Sequence, residues 1–148
     1  MDQSYPYTRE FAYQYTFVSH GKERIEKAVI FSLTPTANLY NVGFGDVKAN
    51  GLIDDRIRTN NGDLIRVLGT VIQIIKTFLE EHPFATVFFV GSSPSRTALY
   101  HRILRTYYQT FSNEFIISAS IQNENDFKET PFDPTSTHEY FGFFIKKK

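Results

Sequence analysis

The chain has 148 residues, a formal net charge of zero and no cysteine. This length is typical of one domain, so the sequence predicts a single domain over residues 1–148. Without cysteine the chain can form no disulfide, no thiolate metal site and no cysteine nucleophile. Sixteen basic residues balance sixteen acidic ones, which argues against a protein that binds nucleic acid through its overall charge.

The start of the chain and its apolar runs indicate where the protein resides. Met1 to Glu10 is polar and lacks the basic segment and apolar stretch of a secretory signal. The longest wholly apolar run near a predicted strand, Val87 to Val90, is far shorter than the ~20 residues of a membrane-spanning helix. We therefore expect a cytoplasmic protein with no membrane contact.

The first third of the chain predicts three β-strands. Arg9 to Ser19 alternates between two faces, and Ile25 to Leu33 is rich in β-branched and aromatic residues. The third strand, Leu39 to Val47, contains Gly43 and Gly45, which indicate a bulge or a close backbone approach. Because the intervening turns are short, we expect an antiparallel meander.

A polar loop from Lys48 to Gly62 separates the meander from the clearest helix. Apolar residues from Leu64 to Leu79 recur at helical spacing, and the helix is expected to end before Pro83. The segment that follows, Thr86 to Val90, predicts a short strand buried on both faces.

The remaining elements complete an α+β fold. We expect a helix at Ser95 to Phe111 and a strand at Phe115 to Ile121. A loop follows at Asn123 to Pro134, and the last strand is expected at Tyr140 to Ile145. Ser93 can cap the helix, with Pro94 as its first residue. The predicted order is βββ-α-β-α-β-β, a mixed sheet with an antiparallel N-terminal meander and two core helices.

The loop before the second helix is the best local candidate for chemistry. It joins the carboxyl end of a buried strand to a helix N-terminus, where free N–H groups and the helix dipole favour an anion. The candidate anion-binding residues are Gly91, Ser92, Ser93, Ser95 and Arg96. The alternative is an ordinary capped helix, since Ser-Pro is common at this position.

The second helix interleaves arginines with tyrosines, and this pattern can pair with phosphates and stack on bases. Arg96, Arg102 and Arg105 would make residues 95–111 a nucleic-acid-binding module. The alternative is an amphipathic helix with a solvated basic face, which makes a nucleic-acid partner the less favoured interpretation.

No metal site is predicted. The four histidines show no ligand spacing, and neither HxxxH nor HExxH occurs. Asp54 and Asp55, near Asp46 and Asp63, could in principle bind a hard cation, but a solvated loop is the favoured interpretation.

The order of elements resembles the core of the GNAT acyltransferase fold, without its usual first helices. In that family the second helix often carries an Asn, a Leu-Tyr pair six residues later, and then Gly-Phe. Ser93 stands in the Asn position and Leu99-Tyr100 forms the pair, while Leu104 takes the Gly place. The resemblance implies that Tyr100 is a general acid for the departing thiolate.

The resemblance also implies a cofactor loop. GNAT enzymes hold the pyrophosphate of CoA with a Q/R-x-x-G-x-G/A loop, and the nearest stretch here runs from Thr59 to Leu64. Gly62 fits that pattern, and with Asn61 it is the candidate cofactor contact. Asp63 departs from the pattern, because it adds a negative charge beside the pyrophosphate.

A second likeness is to a family of small uncharacterised bacterial proteins, and phage-related proteins carry similar strings. The segments that carry it are Gly62 to Val67, Thr70-Val71, Phe89 to Ser92, Ser95-Arg96 and Leu99-Tyr100. That resemblance implies no established activity.

Three hypotheses follow. The first is a non-catalytic, GNAT-like domain without cofactor that binds a protein partner or a second copy, in a phage-conflict or toxin–antitoxin setting. The second is a diverged acyl-CoA-dependent N-acyltransferase that uses Tyr100, with an open cleft between the strands Leu39 to Val47 and Thr86 to Val90. The third is the nucleic-acid-binding module.

Overall fold

The computed structural model describes residues 4–11, 13–54, 62–91, 94–123, 126–136 and 139–148. Within this part the chain forms one nine-stranded sheet and two helices. The strands are β1 (Tyr7–Phe11), β2 (Gln14–His20), β3 (Arg24–Leu33), β4 (Leu39–Val47), β5 (Ile53–Asp54), β6 (Thr86–Phe89), β7 (Phe115–Asn123), β8 (Asp126–Pro131) and β9 (Gly142–Lys147). The helices are α1 (Leu64–Glu81) and α2 (Pro94–Phe111).

The sheet is mixed and mostly antiparallel. Its order is β1-β2-β3-β4-β6-β9-β7-β8, and β5 pairs with the end of β4. The one parallel pair joins β4 to β6, and β9 lies antiparallel between β6 and β7. The α+β class, the antiparallel N-terminal strands and the two helices are therefore confirmed.

The predicted first strand, Arg9 to Ser19, is wrong because the chain reverses within it. The segment forms the hairpin β1–β2, with Phe11 opposite Gln14. Period-2 alternation continues through a tight turn, so the pattern alone cannot show where one strand ends and the next begins. Tyr15 and Phe17, which share one face of β2, are buried.

Two further strands lie in segments predicted as loops. β8 lies in the predicted loop from Asn123 to Pro134, and β5 lies in the one from Lys48 to Gly62. The order βββ-α-β-α-β-β therefore lacks three of the observed strands, counting the extra strand of the first hairpin. β8 is a polar strand at the sheet edge, and such strands lack the apolar alternation that sequence analysis detects.

Both helices pack on one face of the sheet, here called the helix face. The rings of Phe31 on β3 and Phe78 on α1 are stacked with centroids 3.9 Å apart. Tyr100 on α2 contacts Phe89 on β6, with centroids 5.3 Å apart. Phe89 is paired with Phe143 on β9, which is fully buried. Burial of these rings between sheet and helices forms the hydrophobic core.

The opposite face, here called the outer face, has no described helix over it. Strand alternation places Phe88 and Phe144 there, because their neighbours Phe89 and Phe143 point to the helix face. Both outer rings are half-buried. The prediction that Thr86 to Val90 is buried on both faces is therefore wrong, although Val87 and Phe89 are buried as expected.

Candidate functional site

β4 pairs with β6 only through its first three residues. Three residue pairs join them, from Leu39 with Thr86 to Asn41 with Phe88. β4 then continues for six residues to Val47, and β5 pairs with the last two of these. Both α1 and α2 begin beyond the carboxyl ends of these strands. The space between β4 and β6 beyond their last pair, Asn41 with Phe88, is here called the opening. Ligands of open α/β sheets gather at such positions, so the opening is the first candidate site.

Aromatic rings occupy the helix face of that opening. The ring of Tyr100 contacts Phe89 on β6 and Phe44 on β4, with centroid separations of 5.3 and 6.1 Å. Only 8% of Tyr100 is exposed. The residue predicted as a general acid therefore contributes its ring to the core, between the two strands that would form an acyl-CoA cleft.

The predicted anion loop is described only in part. The N–H of Gly91 donates to the Thr97 hydroxyl at 2.9 Å, so this donor serves an internal contact. Pro94 is the first residue of α2, as predicted, and the backbone of Ser95 and Arg96 lies in its first turn. Ser92 and Ser93 lie outside the described residues, and so do the side chains of Ser95 and Arg96.

The predicted cofactor contact at α1 is also described in part, since Asn61 lies outside the described residues. Gly62 has a φ of +81°, a left-handed conformation that glycine adopts without strain. A β-carbon on Gly62 would lie 4.0 Å from the Lys22 side chain. The glycine is therefore needed for the backbone turn into α1, whether or not a ligand binds there.

Asp63, directly before α1, already places a negatively charged side chain at the helix N-terminus. Its carboxylate accepts hydrogen bonds from the Tyr5 and Ser19 hydroxyls, each at 2.5 Å. Burial, followed by the hydrogen bond to Asp63, raises the pKa of Tyr5. The Arg66 guanidinium lies 4.0 Å above the Tyr5 ring. Because a carboxylate here suits the helix dipole, a second anion such as a pyrophosphate would be repelled.

A family comparison adds to this geometry. A sequence profile of a family of unknown function, DUF6934, matches residues 1–148. The chain belongs to DUF6934. No curated protein and no solved structure matches the chain. The sequence resembles a family without established activity. Membership of DUF6934 agrees with that resemblance, because DUF6934 is a family of unknown function.

This DUF6934 member buries an ion pair that sequence analysis missed. Lys27 on β3 and Asp46 on β4 are cross-strand neighbours on the helix face, and Lys27 Nζ contacts the Asp46 carboxylate. Their side chains are only 8% and 12% exposed. Strand alternation places Lys27 beside Phe17, at an inward position where a charge is not expected. The pair lies near the carboxyl end of β4, where β5 pairs with that strand.

His101 on α2 was likewise missed. Its ring lies among Phe132, Tyr140 and Phe143, with centroids 4.9 to 6.2 Å away. The buried Nε2 has no hydrogen-bond partner among the described residues. Burial, and then the positive charge of Arg105, lowers the pKa of His101. The sequence carries no signal for this enclosure, because its walls come from segments some 30 to 40 residues later in the chain.

Other candidate functions have little structural support in the described part of the chain. Arg102 and Arg105 are exposed on α2, as a solvated basic face predicts. No group of three His, Cys, Asp or Glu among the described residues could hold a metal ion. No described helix is both long and apolar enough to cross a membrane. A cavity of about 290 Å³ beside β1 and β2 is lined by none of the predicted site residues.

Proposed function

We propose that this chain is a non-catalytic, GNAT-like domain that acts by binding a protein through the outer face of its sheet. The observation that carries the proposal is an apolar cluster on that face, here called the outer patch and formed by Phe88, Ile116, Phe141 and Phe144. Ile116 and Phe141 are 43% and 45% exposed. A cluster of large exposed apolar side chains at the centre of a sheet is typical of an interaction surface.

The three rings of the outer patch cluster around Phe88. The ring of Phe88 lies 4.6 Å from Phe144 and 6.5 Å from Phe141, measured between centroids. A β-carbon on Gly142 would come within 2.6 Å of the Phe88 ring. The glycine on β9 therefore leaves the space that the Phe88 ring occupies. Ile116 follows on β7, directly opposite Lys146 of β9.

The GNAT-like part of the proposal is supported by the order of the central elements. An antiparallel run from β2 to β4 leads into α1, then into β6 and α2, and the last strands follow. The parallel pairing of β4 with β6, and its early end at Asn41, supports the same likeness.

The filled opening favours a binding domain over an acyltransferase. The second hypothesis needs an open cleft between β4 and β6, but Tyr100, Phe44 and Phe89 pack there. It also needs a pyrophosphate site at α1, where Asp63 presents a carboxylate bonded to two hydroxyls. A phage-conflict or toxin–antitoxin setting stays a prediction from sequence resemblance.

Site-specific photocrosslinking tests the proposed surface. A photoreactive phenylalanine analogue in place of Phe141 should give a protein adduct in cells, identified by mass spectrometry. The same analogue at Phe84, which is 87% exposed elsewhere on the chain, is the matched control and should give none. The proposal that the outer face binds a protein would be wrong if position 141 crosslinked to no protein, or if both positions crosslinked equally.

A thermal-shift measurement tests whether the chain binds acyl-CoA. A ligand present at 100 times its Kd stabilises a native protein by about 2.7 kcal/mol, which is several degrees in Tm for a domain of this size. We expect no shift with millimolar acetyl-CoA. A reproducible rise of several degrees would restore the acyltransferase hypothesis.

A further inference from the structure

We propose that the occupant of the outer face is a second copy of this chain, packed sheet against sheet about a two-fold axis. The inference rests on the proposed function, because it names the partner of that same surface. It is carried by the charges around the outer patch and by the net charge of the molecule.

The charges beside the outer patch are self-complementary. Register places exposed Lys146 opposite Ile116, and exposed Glu129 opposite Ser120. Opposite charges thus lie on either side of Ser118, whose hydroxyl donates to Glu129 at 2.9 Å. In a two-fold interface each contact occurs twice with the roles exchanged. An axis near Ser118 would pair Lys146 of each copy with Glu129 of the other.

The remaining features fit a second copy. Two packed sheets lie about 10 Å apart with interdigitating side chains, and the outer patch offers aromatic and branched apolar groups for such packing. A formal net charge of zero means that two copies meet without long-range repulsion.

Sedimentation velocity over a concentration series is the decisive measurement. The unmodified chain should sediment as a dimer, with twice the 17.2 kDa monomer mass. Ile116→Asp and Phe141→Ser should each shift the protein to monomer. Leu33→Ser, which changes an apolar residue that is 71% exposed outside the outer patch, should leave the dimer unchanged. Circular dichroism and Tm verify that each variant is folded, and Phe141 lies outside the strands.

A charge exchange tests the proposed pairing directly. Glu129→Lys and Lys146→Glu should each raise the dimer Kd about tenfold, because each change creates two like-charge contacts per dimer. The double variant should return the Kd to within about threefold of the original value. Glu80→Lys on α1 has the same charge change at an exposed site, and should have little effect.

The outcomes separate this inference from the proposed function. A monomer at all concentrations, or a dimer that Ile116→Asp does not weaken, overturns the second copy as occupant. If position 141 then crosslinks to a different protein, the proposed function stands with another partner. If it crosslinks to nothing, both fail.

Discussion

Removal of one partner from the buried pair of Lys27 and Asp46 should strongly destabilise the fold. In Lys27→Met the Asp46 carboxylate, 12% exposed in the parent chain, is left without its ammonium partner. Breaking a buried pair in this way costs about 3–5 kcal/mol, which is a large share of the ~5–15 kcal/mol of a typical domain. At about 2–4 °C per kcal/mol, we expect Tm to fall by about 10 °C.

Urea unfolding of the single variants and of Lys27→Met/Asp46→Leu measures this effect. The double variant removes both charges, so it should recover most of the lost stability, because apolar groups of similar volume often replace a buried pair at little cost. The exposed pair of Arg9 and Glu81, whose side chains are 52% and 39% exposed, is the matched control and should contribute under ~1 kcal/mol. A loss below ~1 kcal/mol in Lys27→Met would refute the reasoning, since it would show that the pair is solvated.

Three further predictions concern single positions. Gly62→Ala should lower the free energy of unfolding by about 1–2 kcal/mol in urea, because alanine at a φ of +81° is strained; an unchanged midpoint would contradict this. Gly142→Ala should displace the Phe88 ring, because the new β-carbon would lie 2.6 Å from it, and should weaken the proposed dimer; a dimer of unchanged Kd would contradict this. The free energy of unfolding should fall as the pH decreases below about 6.5, because the lowered pKa of His101 means that the unfolded chain binds a proton before the folded chain does. His101→Phe should remove part of that decrease. Identical pH profiles of unfolding for the variant and the parent chain would exclude His101 as its source.

Local patterns were sufficient for the elements with strong periodicity. β4 has the predicted bounds Leu39–Val47, and α1 runs from the predicted start at Leu64 to Glu81, just before Pro83. Each depends on a continuous apolar pattern and a nearby chain-breaking residue. By contrast, β8 is polar and lies at an edge, so nothing in its composition distinguished it from a loop.

The site was harder to predict because its contacts are distant in the chain. Asp63 bonds to Tyr5 and Ser19, which are 58 and 44 residues away, and no spacing rule connects such positions. Tyr100 was assigned from a local Leu-Tyr pair, but its environment depends on Phe44, more than 50 residues earlier. A motif gives the residue type, whereas tertiary packing decides whether the side chain is reactive or part of the core.

Connection handedness explains why the outer face is open. β4 to β6 through α1, and β6 to β7 through α2, are both crossovers between strands of the same direction, since β6 and β7 are each antiparallel to β9. Both move the same way across the sheet. Because such crossovers are right-handed in nearly all proteins, α1 and α2 must lie on one face.

It follows that neither helix can cover the outer patch. The alternation that buries Phe89 and Phe143 under the helices also turns Phe88 and Phe144 outward, so the topology itself presents aromatic side chains to the solvent. Both rings are half-buried, and neither is part of the core between sheet and helices. Aromatic side chains at both positions, with Gly142 leaving space for one of them, support the proposed interface, because aromatic residues are enriched at such surfaces.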